Sequence, residues 1–224
     1  MTSPQRHAAL LIAYTVAVYA VDSLATREVR VPIDWTVFAW RHESGFDLFK
    51  FVFWLVVPVM IAQPWRDLGW FGVKRWKRVD LLALGGLCLL GAIAIVAVAW
   101  IPALRAMYPS LAEYPDEVRW QFASYALVWL CSWLIGWEFL HRFVLARALA
   151  EAFPRAPMLA ACAIIPLMEA AYHLAQGKGL IESGGVIVFG VLLTAYAVHR
   201  RNALLPFLAH LFVELALIGF MVLV

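Results

Sequence analysis

Seven stretches of the chain are apolar almost throughout, at roughly 8–25, 48–65, 80–103, 120–141, 157–176, 184–199 and 203–224. A membrane-spanning helix needs about 20 mostly apolar residues, and most of these stretches approach that length. The run "ASYALVWLCSWLIGW" from Ala123 to Trp137 has no polar face that a water-exposed helix would need. The pattern predicts an all-α polytopic membrane helix bundle of about seven transmembrane helices. Residues 1–224 form a single integral membrane domain, with no repeat, low-complexity tail or linker.

The polar positions between the spans refine this picture. "REVRVPIDWTVFAWRHESGF" mixes charges with Trp35 and Trp40, and "RDLGWFGVKRWKRVD" carries basic and aromatic residues. Both suit the interface, where such side chains meet headgroups. Arg6, Arg66, Lys74, Arg75, Lys77, Arg78, Arg142, Arg147, Arg155, Arg200 and Arg201 fall on the side of the N terminus. Fewer, namely Arg27, Arg30, Arg41, Lys50, Arg105, Arg119 and Lys178, fall on the other. Excess Lys and Arg mark the cytoplasmic side, so the N terminus is expected in the cytoplasm and the C terminus outside. The first apolar segment is expected to stay as an anchor, although it could pass for the core of a signal peptide.

Composition agrees: the chain is 64% hydrophobic and 15% charged, with a mean hydropathy of +0.81. A net charge of +3 gives no reason to expect nucleic acid as a partner. Cys88, Cys131 and Cys162 sit singly in apolar segments, without metal-binding or disulfide spacing, and are expected as small buried residues.

Against that background three acid–base pairs stand out. Glu138 and Arg142, Glu169 and His173, and His210 and Glu214 are each four residues apart, so each pair shares one helix face. At 1.5 Å per residue, Glu138, Glu169, His173, His210 and Glu214 lie about 12–24 Å from turns on one predicted side. Ionisable groups in lipid cost roughly 2.5–3.5 kcal/mol each at a helix centre, so they must face one another or water. One polar site shared by three helices is expected, either as buried pairs that fix packing or as a place where His and carboxylate move protons. Glu182, just past His173, reads as a solvated loop charge.

At these residues the sequence resembles the CPBP group of glutamic intramembrane proteases, which includes the CAAX prenyl endopeptidases and bacteriocin-processing relatives. Their pattern runs EExxxR, FxxxH, then HxxxN or HxxxD on successive helices. Here "WEFLHR", "EAAYH" and "HLFVE" stand in those places, and the likeness covers roughly residues 120–224. Trp137 stands where the family has its first glutamate, Glu169 replaces an aromatic residue, and Glu214 replaces Asn or Asp.

The resemblance implies an intramembrane endopeptidase, in a bacterial cytoplasmic membrane, that cleaves a membrane-associated protein or peptide with an activated water. It implies that Glu138 or Glu169 acts with His173 as the base, and that His210 binds the oxyanion with Glu214 orienting its ring. Arg142 would keep Glu138 charged. No cofactor or metal is required, although zinc held by His173, His210 and one glutamate is chemically possible. Other readings of the same residues are a catalytically inactive scaffold or immunity-type relative, a cysteine mechanism through Cys131 and Arg142, and a proton-coupled transporter.

Overall fold

The computed structural model describes residues 2–26, 46–62, 68–72 and 76–224. The expected interfacial segment with Trp35 and Trp40 lies outside the described residues, as do Arg66, Lys74 and Arg75 of the second one. Every long element is helical: α1 (Ser3–Thr26), α2 (Leu48–Ile61), α3 (Arg78–Trp100), α4 (Pro102–Met107), α5 (Asp116–Ala152), α6 (Pro157–Ala175), α7 (Leu180–Arg200) and α8 (Leu204–Leu223). A 3-10 turn spans Leu68–Phe71. Among the described residues, six helices (α1, α3 and α5–α8) are long and apolar enough to cross a membrane, and α2 is a shorter apolar helix. The protein is an integral membrane protein with an all-α bundle.

The breaks follow from the chain. Pro157 opens α6 at a position where its missing N–H costs nothing. Arg201 closes α7 in the left-handed conformation, at φ 50°. Gly177 takes φ 80° after α6, where a side chain would be strained.

The helix ends sort into two levels. At one, Ala8, Leu11, Ala62, Trp70, Leu149, Ala152 and Ala203 share a buried apolar cluster, and the Ala203 N–H donates to the Trp70 carbonyl (2.9 Å). At the other, Lys50 of α2 meets Asp22 of α1 at 2.9 Å, and Gln176 after α6 donates to Ser23 (3.1 Å). The Leu111 N–H donates to the carbonyl of Met221 at this level too (2.7 Å). The second expected span, 48–65, is therefore shortened to Leu48–Ile61, yet it still runs between the two levels. Fourteen residues reach only about 21 Å, which suffices because Trp54 at its middle is buried in protein rather than set in lipid.

Gly136 makes the central contact. A Cβ there would sit 2.7 Å from the carbonyl carbon of Trp54 and 2.9 Å from the N of Leu55. The missing side chain therefore lets the α2 backbone lie directly on α5. Both helices have a π-helical stretch at this crossing, Phe51–Val56 in α2 and Phe139–Leu145 in α5. Such wide turns are rare and concentrate at functional sites. The face of α3 opposite the bundle carries exposed Leu82, Leu89, Ile93 and Val96, the surface that meets lipid tails.

Candidate active site

The π-helical turn of α5 carries the centre of the polar site. Arg142 is buried there, and its guanidinium forks onto Glu169 of α6, with Nη1 at 2.7 Å from Oε1 and Nη2 donating to Oε2 (3.1 Å). Its Nε lies 3.5 Å from Glu138 Oε2 on its own helix. One cation thus faces two carboxylates. A planar guanidinium suits this task because it offers several donors in a fixed fork. Gly190 of α7 makes room: a Cβ there would fall 2.6 Å from Glu169 Oε2 and 3.2 Å from Pro166 Cβ.

The second carboxylate connects α5 to α8. Glu138 Oε1 is 2.7 Å from His210 Nδ1. A carboxylate only accepts, so Nδ1 carries the hydrogen of this bond. The other ring nitrogen, Nε2, is 3.5 Å from Glu214 Oε1. Of these groups Glu138, Arg142 and Glu169 are buried, whereas His210 and Glu214 are partly exposed, at 16% and 21% of their side chains. The network is therefore most exposed at its His210–Glu214 end.

His173 stands elsewhere than expected. It shares a helix with Glu169 but does not pair with it; its Nδ1 is 3.4 Å from Glu182 Oε1 of α7. Glu182 also accepts from the Tyr108 hydroxyl (2.8 Å) and lies 3.4 Å from Lys178. The expected solvated loop charge is in fact a half-buried hub between α6, α7 and the segment after α4. Burial, Glu182 and then Glu214 push the Tyr108 hydroxyl well above its ordinary range, so it stays a donor.

The structure thus joins Glu138, Arg142, Glu169, His210 and Glu214 in one continuous network and sets His173 in a neighbouring cluster. Trp137 is buried in an aromatic core with Tyr19, Trp54, Trp133 and Tyr172. Its ring stacks on Tyr19 (5.7 Å between centroids) and meets His173 edge-on at 6.3 Å. Sequence reasoning passed over His141, which is fully buried. Its Nδ1 donates to the Trp137 carbonyl (2.6 Å), a group that in a regular α-helix takes the backbone N–H of residue 141. Its Nε2 accepts from the Tyr19 hydroxyl. With both nitrogens engaged, His141 wedges α1 against the π-helical turn. The only sequence signal for it was its place between Glu138 and Arg142.

Asp22, Lys50, Asp47 and Tyr172 form a second buried polar group that the sequence did not announce. Lys50 Nζ lies 2.9 Å from Asp22 and 3.1 Å from Asp47, and the Tyr172 hydroxyl donates to Asp22. It ties α1, α2 and α6 together beside the aromatic core. Cys131, expected buried, is exposed on the bundle surface; Cys88 and Cys162 are half-buried. Among the described residues, no three His, Cys, Asp or Glu side chains are placed to hold a metal ion, so His173 and His210 with one glutamate do not make a zinc site here. Comparison with known proteins finds no matching family model, no matching curated protein and no matching solved structure.

Proposed function

We propose that this membrane protein is an intramembrane endopeptidase that hydrolyses a peptide bond at the edge of the bilayer with water activated by His210. The observation that carries the reading is the chain Glu138–His210–Glu214 at a partly open, otherwise apolar depth. Glu138 holds the hydrogen on Nδ1, and loss of the Nε2 proton would free that nitrogen's lone pair, the arrangement by which a carboxylate readies an imidazole base. Both Glu169 oxygens face the Arg142 guanidinium and His173 is paired with Glu182, so we assign the base to His210 rather than to Glu169 with His173. In the reaction, water held by Nε2 and Glu214 adds its oxygen to the scissile carbonyl carbon. Its proton passes to Nε2 and the carbonyl electron pair moves onto oxygen. Collapse reforms the C=O bond and breaks the C–N bond, and the leaving nitrogen takes the proton back from His210.

The protein substrate is membrane-associated, the membrane is a bacterial cytoplasmic membrane, and the N terminus faces the cytoplasm, a placement supported by the uneven spread of Lys and Arg. A second reading, an inactive scaffold of the same architecture, is favoured by one observation: Trp137 fills the family's first-glutamate position with packed aromatic core. The two part on one experiment. Membranes from cells producing the wild-type protein or Glu138→Gln are compared by mass spectrometry of new peptide termini. Termini that appear with the wild type and vanish with Glu138→Gln support the endopeptidase; identical sets in both support the scaffold.

A further inference from the structure

We infer that the indole N–H of Trp133 binds the scissile carbonyl oxygen of the substrate and stabilises the oxyanion that forms on it. The inference rests on the endopeptidase reading and supplies what that reading lacks. Hydrolysis needs a donor aimed at the developing negative charge. His210, expected in that role, has its Nδ1–H committed to Glu138, and as a base its Nε2 brings no hydrogen. Arg142 is committed to two carboxylates. A donor that does not already face a carboxylate is better suited to serve the carbonyl oxygen.

Trp133 has the required features. Its ring lies 5.8 Å from the His210 ring, at 69° to it, so the indole stands beside the imidazole that would hold the water. Its side chain is buried, and its Nε1–H has no hydrogen-bond partner among the described residues. Buried polar hydrogens are nearly always paired, because leaving one unpaired costs about 1–3 kcal/mol. A donor left unpaired beside a candidate base is suited to an acceptor that arrives with the substrate. Position on the helix agrees: Trp133 is five residues before Glu138 on α5, about 7.5 Å nearer the level of Lys50 and Gln176. Glu214 lies in that same direction from His210 on α8, so a peptide entering past Glu214 would meet Trp133 on its way to Nε2. Trp54 provides an internal comparison. Its N–H is also buried and unpaired, and it belongs to the same aromatic core. Its neighbours are Tyr19, Trp133, Trp137 and Tyr172 rather than His210.

The test uses the full chain in liposomes and a peptide cleaved at a site found by the terminus comparison. Wild type, His210→Ala, Trp133→Phe and Trp54→Phe are assayed for kcat, KM and thermal stability. Phenylalanine keeps an aromatic ring and removes the donor. The expected result is a kcat lower by a factor of about 10²–10³ for Trp133→Phe, with KM changed less than about threefold, and a kcat near wild type for Trp54→Phe. Should Trp133→Phe fail to fold, 3-benzothienylalanine at position 133 keeps the bicyclic shape with sulfur in place of N–H, and the same loss is expected. Wild-type kcat in either Trp133 variant overturns the inference, as does an equal loss from Trp54→Phe, which would assign the effect to packing. If His210→Ala cleaves as fast as the wild type, the endopeptidase reading itself has failed.

Discussion

Glu169→Gln separates a structural acid from a catalytic one. In the wild type the Arg142 fork spans both Glu169 oxygens, at 2.7 and 3.1 Å, in a setting where both side chains are buried. Glutamine keeps the volume but turns one of the two acceptors into an NH₂ that faces a guanidinium N–H, donor against donor. A charge-assisted bond worth about 1.5–3 kcal/mol is lost, and Arg142 is left with one carboxylate at 3.5 Å. Breaking a buried ion pair by removing one partner costs about 3–5 kcal/mol. Because the amide oxygen still accepts one bond, the expected loss lies near the lower end, about 3 kcal/mol, or roughly 10²-fold in the folding constant. Equilibrium unfolding in mixed micelles of rising SDS content measures it. Turnover by the fraction that remains folded should stay within about threefold of wild type, since Glu169 does not touch the His210 water. Unchanged stability together with a turnover loss of 10² or more would refute this reasoning and make Glu169 the base.

Two further outcomes follow from packing and charge. Gly136→Ala should destabilise the bundle by about 1–3 kcal/mol, because its methyl would meet the backbone of Trp54 and Leu55 rather than a side chain that can swing away; the same unfolding titration reads it. Lys50→Met should cost about 3–5 kcal/mol by leaving Asp22 and Asp47 without their shared cation. Adding Asp22→Asn should restore part of that loss, and a double-mutant cycle with no coupling would contradict the ion-pair account.

The bundle was legible from the sequence because apolar runs report burial directly. The site was legible only in part. The spacing of Glu138 with Arg142 and of His210 with Glu214 gave true neighbours, at 3.5 Å in both cases. Glu169 and His173 have the same spacing but diverge. A shared face allows a pairing; a stronger partner on another helix decides it, and Arg142 holds Glu169 while Glu182 holds His173. No periodicity foretold the π-helical turn, which brings His141 against Tyr19. Lys50 looked like an interfacial cation because its partner Asp22 is on a different helix, 28 residues earlier. Trp54 at the centre of a shortened helix was hidden for a related reason: apolar content cannot distinguish burial in protein from burial in lipid.

The central claim is that water activated by His210 is added across a peptide bond within this bundle. Wild-type protein and His210→Ala, each reconstituted with its membrane substrate in water enriched in ¹⁸O, test it most directly by mass spectrometry of the new carboxyl termini. The account predicts one ¹⁸O atom at each new terminus with the wild type and no new termini with His210→Ala. New ¹⁸O-labelled termini in equal amount from both proteins, or none from the wild type, would contradict it.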